Sequence, residues 1–506
     1  MAGRTKSFLG NTTASLLLML VTLVTGFLVP RSIIGCYGSA VNGLVTSLTQ
    51  FISYISLVEA GISAAAVFAL YVPLAKHDLP QISVIVSAAR RFYYKSGFIF
   101  VALVAVLAFA YPLVVDCEGM SNVQVAVLVF CLGASGFLDF FTLAKYRVLL
   151  TASQRNWAIQ YASILYKLLY AAVIVALAHA GVDVVWVYVA AILPIILRTL
   201  ILSLYTRHLF PDVDFSASGG KNFKLNQRWD AFYLQVLGAV QSGIPTILAT
   251  FLLQDLSMVS VFAVYMLVAN GVQKLCASFS NGTQASFGDV IARGQAETLK
   301  RTFREFQALV YGLSALCCGI AFVAIEPFIA LYTAGVADMN YNYPLIGFLA
   351  ILNVLLYHLK TPQGLLVISA GKYRETRVQT TVQALILVVF GTVFGLMWGV
   401  PGILVGACLS NIYRDIDLAF FIPRTVTHTR PAETFAFMAA SVFECALVVL
   451  PFAFLDVSCA GWAQWVLLCC AVAAWGLAVV AAGTWLFHRE QFRGLLARAK
   501  RMLKRG

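Results

Sequence analysis

Long apolar runs separated by short polar turns recur along nearly the whole chain. In order, they predict spanning helices near residues 12–34, 43–71, 97–115, 122–150, 157–181 and 184–206. After a polar connection from Phe210 to Arg228, further runs follow near 230–253, 257–288, 303–332, 343–370, 377–399, 401–424, 432–455 and 462–487. Most reach the roughly 20 residues that cross a bilayer as an α-helix. The expected fold class is therefore all-α, a polytopic membrane protein of about 14 transmembrane helices. Arg4 and Lys6 precede the first run in the manner of a secretory leader, but the run continues past Val29 and many like it follow, so it reads as the first spanning helix.

Two stretches depart from simple spanning. The second run carries Glu59 near its midpoint, directly before Ala60 and Gly61. After it, Leu79, Ile82, Ile85, Val86, Ala89 and Phe92 fall at helical spacing beside Arg90, Arg91 and Lys95. This predicts a helix lying on the membrane surface and a return into the bilayer at Gly97. A similar basic amphipathic segment follows Gly494: Leu495, Leu496, Ala499, Met502 and Leu503 lie among Arg498, Lys500, Arg501, Lys504 and Arg505, suited to anionic lipid.

Charge fixes the expected orientation. Turns from odd to even helices hold Asp116, Glu118, Asp183, Asp255, Asp338 and Asp456, and no Lys or Arg. Turns from even to odd helices hold Lys76, Arg155, Arg207, Lys221, Lys224, Arg293, Lys300, Lys372, Arg374 and Arg430, among others. By the positive-inside rule both termini are expected in the cytoplasm. The composition, 61% hydrophobic and 11% charged over 506 residues, leaves no room for a sizeable soluble domain. The net charge of +13 follows from these turns and does not point to nucleic acid. The eleven cysteines form no C-x-x-C pair, and no H-E-x-x-H or phosphate-binding glycine loop occurs, so neither a metal site nor a catalytic constellation is expected.

The chain also resembles itself. Leu149 to Gln154 resembles Val367 to Lys372 at a shift of about 218 positions, each ending the fourth helix of its half. Pro30 and Pro245 interrupt the first helix of each half, and Gly61 and Gly282 lie in each second helix. The expected organisation is an N-lobe at 1–215, a C-lobe at 216–430, and a terminal helix pair with the basic tail at 431–506. An even number of crossings per half predicts lobes related by an axis along the membrane normal, able to rock open to either side.

Charges at bilayer depth are the candidates for function, since each costs about 2.5–3.5 kcal/mol to insert. Lys167, Lys274, Lys360 and Arg414 fall near the midpoints of predicted helices, and Arg31 toward the outer end of the first. Facing a central cleft, they would receive an anionic ligand. The alternative is internal pairing with Glu59, Asp139, Asp289, Asp415 or Asp417. His358 is a further donor candidate two residues from Lys360. Glu59 and Asp139 are candidates for coupling to a proton or Na⁺ gradient, because a buried carboxylate can titrate near neutrality.

The opening pattern of Asn11, Pro30-Arg31, Gly35, Tyr37-Gly38, Asn42-Gly43-Leu44, Tyr54, Glu59-Ala60-Gly61, Tyr71-Val72-Pro73-Leu74 and Phe92-Tyr93-Tyr94 resembles that of the bacterial oligosaccharide-lipid flippases of the Wzx type. These belong to the multidrug, oligosaccharide-lipid and polysaccharide (MOP) exporter superfamily. The resemblance implies two six-helix lobes that move an undecaprenyl-pyrophosphate-linked glycan across the bacterial inner membrane, with no cofactor, and a polysaccharide polymerase as a downstream partner. It places Arg31, Glu59, Lys274 and Lys360 along the cavity, whereas Lys167 and Arg414 rest on burial alone. Two relatives of the same superfamily are the alternatives: a peptidoglycan-precursor (lipid II) flippase with a cationic cavity, and a multidrug antiporter, which should carry acidic sites instead.

Overall fold

The computed structural model describes residues 2–487 except 60–61, 116–118, 218–227, 281–282, 373 and 456, together with 489–491 and 494. Gly61, Gly282, Asp116, Glu118, Asp456, Lys221, Lys224 and nearly all of the basic tail lie outside them. All described regular elements are helical. Among the described residues, thirteen helices are long and apolar enough to span a bilayer. A fourteenth of comparable length, Val400–Ile422, carries Arg414, Asp415 and Asp417. The chain is a multi-pass membrane protein. It forms two compact units, Met1–Ser260 and Val261–Gly506.

Unit 1 contains α1 (Ala2–Tyr37), α2 (Ser39–Ile55), α3 (Ile62–Lys76), α4 (Leu79–Val114), α5 (Asn122–Leu138), α6 (Ala144–Ala152), α7 (Asn156–His179), α8 (Val184–Ala190), α9 (Ile192–Leu209) and α10 (Arg228–Leu253), and ends within α11 (Leu256–Ser280). Its joints are polar. Asn11 on α1 donates to the carbonyl of Gln154 and accepts from the amide of Trp157, tying α1 to the α6–α7 turn. Asn42 donates to Ser260 at 2.7 Å, and Tyr54 to the Ala239 carbonyl at 2.8 Å. Gly43 admits the Leu256 carbonyl so closely that no Cβ would fit.

The second predicted helix is not one rod over 43–71. It breaks at a 3₁₀ turn, Ser56–Glu59, between α2 and α3. Ser53 and Ser56 return hydrogen bonds to the carbonyls of Thr49 and Ile52, a pattern that bends helices, and Glu59 is drawn to an arginine on α6. Nor does 79–95 form a separate surface helix. Asp78 caps α4 by accepting from the Gln81 amide, and α4 runs unbroken for 36 residues, about 54 Å at 1.5 Å per residue. The stripe of Ile82, Ile85, Val86, Ala89 and Tyr93 is buried in unit 1 rather than laid on lipid.

Unit 2 holds the rest of α11, then α12 (Gln284–Ala292), α13 (Ala296–Tyr332), α14 (Pro344–Leu359), α15 (Thr361–Ser369), α16 (Arg377–Trp398), α17 (Val400–Ile422), α18 (Pro431–Ala453) and α19 (Trp462–Phe487). α13 packs against α14, α18 and α19, and α16 against α17. The predicted helix 343–370 is broken at Lys360. Pro362 has no amide to donate to the His358 carbonyl, and the neighbouring Leu359 carbonyl accepts from the Tyr311 hydroxyl at 2.7 Å. In unit 1 the predicted helix 122–150 is also interrupted, by a π turn at Asp139–Leu143 between α5 and α6.

The helix ends fix the repeat. His77 and Gly294 take left-handed conformations after α3 and α12, as Gln154 and Gly371 do after α6 and α15; each pair is 217 positions apart. The closing bonds match as well: Arg155 donates to the Leu150 carbonyl, and Lys372 to that of Val367.

Candidate functional site

In each unit some of the charges inside apolar segments lie where a helix departs from regular winding. In unit 1, Glu59 ends the 3₁₀ turn after α2 and accepts from the Arg147 guanidinium on α6 at 3.1 and 3.3 Å. Arg147 also faces Asp139, at the start of the π turn, at 3.9 Å, and Asp139 accepts from Arg198 on α9. The Arg198 guanidinium lies 4.9 Å from the Tyr166 ring centre on α7. Two carboxylates and two arginines thus alternate in one balanced chain across four elements. The π turn makes the geometry possible. Asp139 and Arg147 are eight positions apart, about 80° out of line on a regular helix, and the extra residue of a π turn brings them close to one face.

In unit 2, Lys360 sits at the α14–α15 break, 8% exposed. Its ammonium donates to Asn411 Oδ1 on α17 at 2.5 Å and lies 4.8 Å from the Tyr357 ring centre. Asn411 in turn donates to Asn353 Oδ1 at 2.8 Å, and Gln383 on α16 reaches the same Asn411 oxygen at 3.4 Å. One turn further along α17, Asp415 is buried, with neither carboxylate oxygen hydrogen bonded, and it makes no ion pair with Lys360. Arg414 pairs with Asp417 within its own helix at 2.5 Å. Burying an ammonium on amide oxygens leaves its charge without a bonded counter-ion.

The remaining predicted residues are dispersed. Arg31 is half-buried on α1 and Lys167 half-buried on α7, both in unit 1. Lys274 is exposed on α11, halfway between its midpoint and its C-terminal end. His358 is fully buried beside the break and contacts Thr361 Oγ1 at 3.4 Å. The partners Arg147, Arg198, Asn353, Gln383 and Asn411 were not singled out in the sequence. Arg147 sits near the end of its predicted helix, where snorkelling explains a cation without any site, whereas Arg198 lies close to the middle of 184–206, so its depth was the signal that could have found it. The amides carry no charge to mark them. Among the described residues no cluster of His, Cys, Asp and Glu suits a metal ion.

No protein-family model matches the sequence, and no curated protein matches it significantly. Solved structures do match. One described as the lipid II flippase MurJ in an inward closed conformation is 14% identical, with a TM-score of 0.64 over 95% of this chain and 99% of that one. An inward-facing multidrug resistance MATE family transporter of the MOP superfamily is 15% identical, with a TM-score of 0.61 over 83% of this chain and 96% of its own. A MOP superfamily transporter from Pyrococcus furiosus Vc1, described as having a binding pocket of reverse polarity, is 14% identical, with a TM-score of 0.56 over 85% and 96%. At this identity the likeness establishes the fold, that of the MOP superfamily transporters.

Proposed function

We propose that this protein is an alternating-access flippase carrying an undecaprenyl-pyrophosphate-linked oligosaccharide, a unit of O-antigen, capsule or another cell-surface polysaccharide, from the cytoplasmic to the outer leaflet of a bacterial inner membrane. The observation that carries the reading is Lys360. It is buried at a helix break and held by a neutral amide and an aromatic face instead of a carboxylate. A cation kept that way at bilayer depth suits a passenger that brings its own negative charge, as a pyrophosphate does. Arg31, Lys167 and Lys274 add to the basic side of the balance and, with Lys360 and Arg414, are the proposed substrate residues. Glu59 and Asp139 are proposed to couple the cycle to H⁺ or Na⁺, since each is bound to an arginine that must let go before the carboxylate can exchange its partner. Both termini are proposed to lie in the cytoplasm, and a polysaccharide polymerase to consume the product.

A lipid II flippase is the second reading, favoured by the match to MurJ over 95% of the chain. Vesicles containing the purified protein and either a polyprenyl-pyrophosphate oligosaccharide or lipid II separate the two. The glycan exposed on each leaflet is scored with a membrane-impermeant modifying enzyme. Movement of the oligosaccharide lipid, lowered at least tenfold by Lys360→Met, is expected. Movement of lipid II alone selects the second reading, and movement of neither overturns both.

A further inference from the structure

Four cations of unit 1 converge without a counter-ion at the end of the bundle that the charge asymmetry assigns to the cytoplasm. Arg90 and Arg91 stand on α4, Lys145 on α6 and Arg207 on α9. The segment after α9 is folded into their midst. Arg90 donates to the Phe215 carbonyl at 3.2 Å and to Ser216 Oγ at 2.5 Å, and Arg91 donates to the Ala217 carbonyl at 3.4 Å. Tyr146 is the hub: its hydroxyl accepts from Arg207 Nε at 3.0 Å and its ring meets Phe215 edge to face. Ser87 donates to the Asp214 carbonyl, and Ser83 accepts from the Asp214 amide, so α4 holds the segment at Asp214 through both of that residue's backbone groups.

Among the described residues no carboxylate lies within 4.0 Å of any of the four. The charges that act on Lys145 are those of Arg90 and Arg207, both of its own sign. Asp214, the nearest acid along the chain, accepts from the Ser216 amide. Residues 218–227 contain two lysines and no acid. Arg91 Nη1 is buried with no hydrogen-bond partner. Like charges held together by carbonyls and a tyrosine, with donors to spare, repel one another until an anion enters.

We infer that Arg90, Lys145 and Arg207 form a binding site for the phosphate of a lipid headgroup, distinct from the charge clusters at bilayer depth. The ligand is phosphorylated and membrane-borne, and two sources share that chemistry: the pyrophosphate of an incoming polyprenyl-linked glycan, and a bilayer phospholipid such as phosphatidylglycerol. The first source rests on the flippase reading; the second does not.

The full chain in phosphatidylcholine nanodiscs is titrated with undecaprenyl pyrophosphate and, separately, with phosphatidylglycerol, and compared with the variant Arg90→Gln/Lys145→Gln/Arg207→Gln. At least a tenfold loss of affinity in the variant is expected for one probe. A loss confined to undecaprenyl pyrophosphate identifies the cargo headgroup, and a loss confined to phosphatidylglycerol identifies a resident lipid. Equal affinity of wild type and variant for both probes overturns the site. Should the triple variant fail to fold, the wild type decides. Either probe must protect Arg90 from phenylglyoxal modification while undecaprenol does not, and absence of protection by both overturns the inference. Binding is read here without transport, so the flippase reading can fail while the site stands.

Discussion

Within unit 1, Glu59 is paired with Arg147, and Asp139 with Arg147 and Arg198 together. Removing one partner strands the other. With side chains of the Glu59–Arg147 pair 29% and 32% exposed, the penalty falls below that of a fully buried pair, to about 1–3 kcal/mol. Arg147→Gln should therefore lower the thermal midpoint in detergent. Adding Glu59→Gln to Arg147→Gln removes the stranded carboxylate, while Asp139 keeps Arg198, and should recover part of the loss; no recovery would show that the pair is incidental. Glu59→Gln tests the proposed coupling. It should bind cargo and fold, yet lose gradient-driven transport; full activity would remove Glu59 from the coupling machinery. The sequence marked both carboxylates because an acid inside an apolar run is conspicuous. It did not mark their partners, because pairing Asp139 with Arg147 depends on the π turn, and hydrophobic periodicity does not encode one extra backbone residue.

The helix breaks are where unit 2 differs from its sequence pattern, and they are built from identifiable residues. Apolar runs across 343–370 read as one helix, yet Pro362 has no amide for the His358 carbonyl and the Tyr311 hydroxyl donates to the neighbouring Leu359 carbonyl. That same hydroxyl accepts from Gln363 Nε2 at 2.8 Å, so Tyr311→Phe leaves two buried polar groups short of a partner. A cost of about 1–3 kcal/mol is expected. Transport activity should fall with it if the break positions Lys360; a stable, fully active Tyr311→Phe protein would show that the break holds its shape unaided. The α16–α17 seam poses the opposite demand. Cβ atoms at Gly402 and Gly406 would run into the backbone at Phe394 and Gly391, so the two helices meet main chain to main chain. Gly406→Leu should separate them and reduce the yield of folded protein, whereas Gly364→Ala, with nothing within 4 Å of its Cβ position, should be nearly neutral. Small residues along a helix are visible in a sequence, but which face meets a neighbour is not.

The opening pattern that resembles the oligosaccharide-lipid flippases does structural work throughout unit 1: Asn11, Asn42, Gly43 and Tyr54 are joints between helices, and Glu59 is an ion-pair terminus. Such a pattern describes how the helices join and does not specify a substrate. Orientation is a separate property of the whole molecule, and it rests on Lys and Arg alone. Asp183 caps α8 and Asp255 caps α11 by accepting from backbone amides, but Asp78, in a turn on the other side, caps α4 in the same way. The acids therefore mark helix starts in turns of both kinds, while the Lys and Arg of the turns fall only in those from even to odd helices. Alkaline phosphatase, active only outside the cytoplasm, can be fused after Gly181, Gly335 or Gly461, and after Gln154, Gly294 or Gly371, each in a turn between spans. The first three fusions should be active and the last three inactive. A complete reversal would place the phosphate site proposed at Arg90 on the outer face and remove its access to incoming cargo. A mixed pattern would instead mean that Val400–Ile422, with its three charges, does not cross the membrane; the count would then be odd and the termini would lie on opposite sides.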